Sequence, residues 1–547
     1  MRKILIALSS VLLVTVSCTK DFEKVNTNPL FPDEHQRTLD GLASVGIFPS
    51  FIAGIIPTGT AKAGTEAQNN YQVTSCMTGD IWSGYVGVGT QWDGGISTPN
   101  FYIKEGRRSG VFKTMLESTM LSFLQIKAAN HDVKLENGVQ VFHKKGITDQ
   151  ATFSVAQIIK VMGMHRLTDL FGPAPYSRIG GGNLIAPYDS QESIYRSMLA
   201  ELQEAVETLN RYKLDGGDKI LGDSDPLYQG DTEKWMKLGN SLMLRLAMRV
   251  RYADAALCQN YVTKATTNPG GLITELGDIA KLQTNGRFIF KNSYWILRTY
   301  NEANMGASIY SLMKGYNDAR IDKYFTKRTI NGNNDYFAVR MGSREPKAKY
   351  TDYSEVNITE ATPTYWFKAS EVQFLLAEAA LYGLISSDTA KNYYQNGIAL
   401  SFKENGLEAG SYATTSGVPV RYVDPARSDY NVEPVSTINK RWDSETTTEA
   451  HLEQIITQKY IANFPLGLES YAEWRRTGYP RMMPPVTNMT NVGATNISND
   501  GKSGGVRRVP FSIEEYTLNR NNMSEAVNLL GGNDNAATDV WWDKKSK

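Results

Sequence analysis

Two stretches of this 547-residue chain concentrate side chains that can grip a ligand without reacting with it. The first carries Asn70, Tyr71, Asp80, Trp82, Tyr85, Gln91, Trp92 and Asp93, set among Gly79, Gly84, Gly87, Gly89, Gly94 and Gly95. The second is Tyr294-Trp295 with Arg298, Tyr300 and Asn301. Indole and phenol rings pack on the flat C–H faces of sugars, while Asn, Asp, Gln and Arg answer hydroxyl groups with paired donors and acceptors. Glycines let the backbone reach places that bulkier residues would block. The same rings hold peptide side chains, so the chemistry fits an oligosaccharide or a peptide. The competing reading makes Trp82, Trp92 and Trp295 half-buried packing groups.

Groups suited to bond cleavage are weaker candidates. Gly501-Lys502-Ser503-Gly504-Gly505 has the form Gly-x-Ser-x-Gly, but it follows the polar run Asn496–Asp500 instead of an apolar strand, so it reads as a loop. The histidines, His35, His131, His143, His165 and His451, are scattered without metal-ligand spacing, and no cofactor is called for. Glu371 with Glu378, and Glu469 with Glu473, would share helix faces. Paired carboxylates are what glycoside cleavage needs, although helix-face acids are usually solvated or salt-bridged. Asn533-Asp534-Asn535 with Asp539 offers oxygen ligands for calcium but not the spacing of a known loop, and reads as a turn leading to Trp541-Trp542.

These residues need a scaffold, and the chain announces one. Arg2 and Lys3 precede an apolar run, Ile4 to Val16, that ends at Ser17-Cys18. The run is shorter than the roughly 20 residues a membrane span requires, and it reads as a secretory signal of residues 1–17 with Cys18 as the lipidated N-terminus. Residues 18–34 read as a polar, flexible tether. Beyond it, 58 basic and 57 acidic side chains leave no net field for nucleic acid. No linker interrupts residues 35–547, so they are expected to form one domain, with Cys76 and Cys258 either paired or buried as free thiols.

Apolar stripes at helical spacing run over Phe112–Ala128, Val155–Leu170, Ile194–Leu209, Trp235–Val250, Val372–Tyr382 and Leu452–Phe464. A further helix is expected from Thr389 to Glu404, after a Ser-Ser-Asp cap signal. The fold class is therefore mostly α, with stacked helical hairpins of tetratricopeptide type but no strict 34-residue repeat. The helical framework lies mainly in 110–260 and 365–475. Long polar, aromatic and glycine-rich stretches, 65–101, 266–365 and 478–547, are expected to be irregular and to carry the site.

An ordered series of segments resembles the SusD/RagB family of nutrient-binding outer-membrane lipoproteins. After the lipid cysteine come Asp21-Phe22 and Val25-Asn26-Thr27-Asn28-Pro29, then Phe171-Gly172-Pro173-Ala174-Pro175 at a helix exit. The helix from Trp235 through Leu242 to Arg249, the run Tyr365-Trp366-Phe367-Lys368 into Leu376-Ala377-Glu378-Ala379, Glu473-Trp474-Arg475-Arg476-Thr477-Gly478 and Arg507-Arg508-Val509-Pro510 complete the order. The resemblance implies a SusD-like fold in which an irregular, loop-rich region packs on the paired helices. It implies a TonB-dependent SusC/RagA-type outer-membrane transporter as partner, over which the lipoprotein closes as a lid, and ligands held by aromatic residues from early and middle segments. Lys20-Asp21 is similar to the family's surface-export signal, with Phe22 where a second acid often stands. The expected role is binding and delivery of an oligosaccharide, or a peptide, without chemical change; a surface glycoside hydrolase is the alternative. Arg245, Arg249, Arg475 and Arg476 are expected to cross-link helices and not to touch ligand.

Overall fold

The computed structural model describes residues 44–59, 65–90, 92–136, 139–180 and 185–547. The expected signal segment 1–17, Cys18, the expected tether 18–34, His35 and Gln91 lie outside them.

Helix α1 (Phe48–Ile55) enters the core ahead of α2 (Glu66–Tyr71), which continues without a break into a π-helical stretch, Gln72–Asp80. A two-residue strand, β1 (Val86–Gly87), leads to the long helix α3 (Glu105–Ala129). An exposed hairpin, β2 (His131–Glu136) and β3 (Val139–Lys144), then turns the chain into α4 (Ile147–Phe171). Next come α5 (Gln191–Leu214), α6 (Thr232–Arg249) and α7 (Ala255–Thr267), each packed on the helix before it, as α4 is on α3. This is the stacked, tetratricopeptide-like framework.

The apolar stripes explain the order. Ile194, Met198, Leu202, Val206 and Leu209 of α5 are all fully buried, each contributing roughly 1.5–3 kcal/mol of transfer free energy against the entropy of ordering it. Helix starts are set by side-chain caps: Ser190 accepts from the Ser193 amide, Asp231 from Lys234 and Asp254 from Leu257. At the end of α4 the backbone turns at Gly172 with φ +82°, where a side chain would be strained.

The middle of the chain is less irregular than its composition implies. It holds β4 (Ala280–Leu282), α8 (Tyr294–Thr299), β5 (Asn304–Met305), α9 (Ala307–Gly315), α10 (Ile321–Tyr324), the hairpin β6 (Arg328–Ile330) and β7 (Asn333–Asp335), and β8 (Thr364–Phe367). Strand β4 pairs with β8, and β1 pairs with β5 in the register Val86↔Met305 and Gly87↔Asn304. The framework resumes with α11 (Ala369–Leu381), α12 (Ala390–Glu404), α13 (Thr448–Asn463) and α14 (Gly467–Thr477). Helix α11 packs on α12 and α13 and also reaches α6, joining the two helical halves. The C-terminal part adds two short helices, α15 (Ile513–Leu518) and α16 (Arg520–Leu530). Among the described residues no helix is long and apolar enough to cross a membrane, and Cys76 and Cys258 are buried free thiols.

Candidate functional site

The two aromatic stretches, more than 200 residues apart in sequence, meet in space through the β1–β5 pairing. Beyond β1, the Gly89 amide donates to Asn304 Oδ1 (3.1 Å), and Thr90 donates from its amide to the Asn301 carbonyl (3.2 Å) and from Oγ1 to the Tyr300 carbonyl (2.5 Å). A Cβ on Gly87 would strike the Val339 carbonyl, and one on Gly89 would lie 2.8 Å from Tyr350 Cβ. Glycine here permits a close backbone approach.

Trp92 stands at this joint, half-buried. Its Nε1–H donates to Glu302 Oε1 (2.9 Å), whose other oxygen accepts from Gln72 Nε2 (2.5 Å). The Arg107 guanidinium lies 5.5 Å from the indole centroid, and Asp93 pairs with Lys104 (3.2 Å) and Arg107 (3.4 Å). Burial raises the pKa of Glu302 above the usual carboxylate value, against the lowering effect of its bonds to Gln72 and Trp92 and of nearby Arg107 and Lys347. The joint thus holds one ring by its nitrogen and leaves part of its surface open. Gln72, Arg107 and Glu302 are absent from the sequence-based set. The one available signal is that Glu302 is the sole acid in residues 294–305.

Helix α8 divides the second cluster. Tyr294, Ile296 and Leu297 face inward, whereas Trp295 and Arg298, one turn apart, are half-buried and Thr299 is exposed. Arg298 lies 3.9 Å from Glu355, which also pairs with Arg328 (2.5 Å). Tyr300 is half-buried beside Thr90, and Asn70 is half-buried on α2.

Five of the ten expected ligand residues are interior, which corrects the expectation that they stand on open loops. Trp82 is 3 % exposed, donates to the Thr98 carbonyl (3.3 Å) and packs its ring 5.4 Å from that of Tyr471. Tyr85 is fully buried, bonded through its hydroxyl to the Tyr460 carbonyl (2.5 Å) and Ser470 (2.6 Å). Tyr71 donates to Asp80 (3.3 Å) and packs on Tyr294, ring centroids 5.3 Å apart. The cause is α14: its first turn presses on residues 79–80, where a Cβ on Gly79 would lie 2.6 Å from the Leu468 amide nitrogen. Tyr71, Asp80 and Tyr294 instead line a cavity of about 60 Å³, far below the several hundred Å³ typical of organic-ligand pockets. Burial drives the Asp80 carboxyl well above its ordinary pKa.

The carboxylates considered for acid–base work are held by cations in the core. Arg245 grips Glu371 with two bonds (2.8 and 2.7 Å). Arg476 grips Glu378 with two (2.7 and 2.7 Å) and also bonds Glu473 (2.7 Å). Arg249 bonds Glu469 (2.5 Å), and Lys459 lies 3.4 Å from Glu473. Arg475 donates to the carbonyls of Asp169 (2.5 Å) and Arg507 (2.8 Å). Burial would raise the pKa of Glu469 and Glu473, but the surrounding cations outweigh it and hold both below the ordinary value of 4.5. The motif arginines thus cross-link α6, α11 and α14. Elsewhere, the Ser498 hydroxyl accepts from the Lys502 and Ser503 amides, making 498–503 a closed loop. Asp534 accepts from Arg508 (2.5 Å), and Asp539 from Arg507 (2.9 Å).

With this geometry in hand, the chain belongs to the SusD-like family, the SusD and RagB outer membrane lipoproteins, whose profile matches residues 24–543. Among solved structures, it is similar to a chitin-binding SusD homologue from Flavobacterium johnsoniae, with 31% identity, a TM-score of 0.82, and 92% of this chain and 99% of that one covered. A SusD homologue from Bacteroides uniformis gives 33% identity and a TM-score of 0.78 over 92% and 99% of the two chains. One from Bacteroides vulgatus gives 28% and 0.82 over 93% and 99%. No curated protein matches the chain at a significant level.

Proposed function

We propose that this protein captures an oligosaccharide at the outer face of the outer membrane and passes it, chemically unchanged, to a TonB-dependent barrel of the SusC/RagA type. The supporting observation is the Trp92 ring, fixed through its nitrogen to Glu302 and partly open where the two aromatic stretches meet. Trp295 and Tyr300 supply further half-buried rings, and Asn70, Asp93 and Arg298 supply polar groups for hydroxyls. Cleavage would need a free acid and base flanking the ligand; Glu371, Glu378, Glu469 and Glu473 are instead committed to arginines inside the framework. In this reading residues 1–17 are removed, Cys18 carries the lipid, 18–34 tether the protein, and 35–547 act as one unit.

The similarity to a chitin-binding relative makes chitin oligosaccharides the first probes. Calorimetric titration of a glycan panel, with a reducing-end assay on the same samples, tests the reading. Binding heat without new reducing ends is expected. Steady release of reducing ends, or no glycan bound at all, overturns it.

A further inference from the structure

The cavity lined by Tyr71, Asp80 and Tyr294 has walls of an unusual kind. It lies where α4, β8 and the start of α14 meet, and its volume of about 60 Å³ leaves room for a few water-sized groups. Three of its residues carry buried hydrogen-bonding atoms without a partner among the described residues: Tyr294 Oη, Trp366 Nε1, and Arg475 Nε and Nη2. Each side chain is at most 1 % exposed. An indole and a guanidinium can only donate. The carboxylates on the wall are already engaged: Asp80 by Tyr71, Asp169 by the Trp542 indole (2.8 Å) and Glu469 by Arg249 (2.5 Å).

Residues Pro465 to Leu468, at the start of α14, also belong to the wall, where the Gly467 amide is already taken by the Asp80 carboxyl.

We propose that this cavity is a binding site for one small monovalent anion, of halide or formate size. Such an occupant accepts several hydrogen bonds and returns none, matching a wall whose unused groups donate. Among the unpartnered side-chain atoms of the wall, a water molecule would find only the Tyr294 oxygen to receive its two hydrogens. The anion would tie α14 to β8 and α4, independently of what the outer rings bind.

Crystals of the protein soaked in sodium bromide test this directly. An anomalous peak between Tyr294 and Trp366 is expected; density that refines as water with no anomalous signal overturns the proposal. In solution, the melting temperature should shift upward when chloride replaces gluconate at constant ionic strength. That shift should shrink in Tyr294→Phe and in Trp366→Phe, which keep a ring and lose the donor. A chloride shift of equal size in both variants and the parent would also overturn it, and the bromide result stands on the parent protein alone should either variant fail to fold.

Discussion

Replacing Trp92 and Trp82 in turn separates a ligand platform from a core residue. An aromatic side chain buries about 150–250 Å² in full, so a sugar lying on one partly open face would cover on the order of 80 Å² of Trp92. At ~25 cal/mol per Å² this is about 2 kcal/mol, or roughly a 30-fold rise in Kd for Trp92→Ala. The same change strands the buried Glu302 oxygen that accepts from the indole (2.9 Å), costing about 1–3 kcal/mol of stability. Trp92→Phe retains a stacking face and should recover most of the affinity. Trp82 is 3 % exposed with its nitrogen bonded to Thr98, so Trp82→Ala should cost about 3–5 kcal/mol of stability and leave the affinity of the folded fraction near that of the parent. Calorimetric titration with the best glycan of the panel, paired with scanning calorimetry, reads both effects. A Trp92→Ala protein that binds as tightly as the parent would refute the platform reasoning.

The buried ion network yields a second expectation. Arg476→Met leaves Glu378 and Glu473 buried without their main partner and should lower stability by about 3–5 kcal/mol, whereas Arg476→Met combined with Glu378→Met should lose less, because no lone carboxylate remains at that position; thermal melts compare the two. The depressed pKa values of Glu469 and Glu473 fix the direction of acid sensitivity. Their stabilisation is complete above the ordinary glutamate value of 4.5 and fades as pH falls below it, while His165, held down to about 3, favours the unfolded chain once pH drops below its ordinary 6.5. The melting temperature should therefore begin to fall below about pH 6.5 and fall further below pH 4.5. The thiols give a third test. Burial pushes Cys258 up to about 12 and Cys76 well above its ordinary value. Both should therefore resist an aromatic disulfide reagent in the native protein and react once it is denatured.

The framework was legible because its signals are local. The stripe from Ile194 to Leu209 lies within α5, that from Val155 to Leu170 within α4, and the helix expected from Thr389 is α12, with Thr389 itself as the cap in place of the Ser-Ser-Asp run. The arginine-rich motifs were readable as cross-links for a similar reason, since a guanidinium on an apolar helix face must find an acid. The candidate site was legible only in part. Trp82 and Trp92 sit in the same glycine-rich stretch and look alike in sequence, yet one is sealed and the other half-open. The difference is made by α14, nearly 400 residues further on, pressing its first turn against Gly79. The π-helical run over Gln72–Asp80 was hidden because Thr, Ser and Gly favour turns locally and are overruled by tertiary contact. The hairpin from His131 to Lys144 has polar and apolar residues on both strands, so no buried face advertised it.

Contact of Gly87 with Val339 and of Gly89 with Tyr350 bears on the proposed capture of a ligand. Backbone clamped from two sides has surrendered its conformational freedom at folding, so little ordering entropy is left to oppose capture. A receptor built in this way would vary its taste for different cargoes by exchanging the side chains at the tip of the segment, while the main chain beneath them stays fixed.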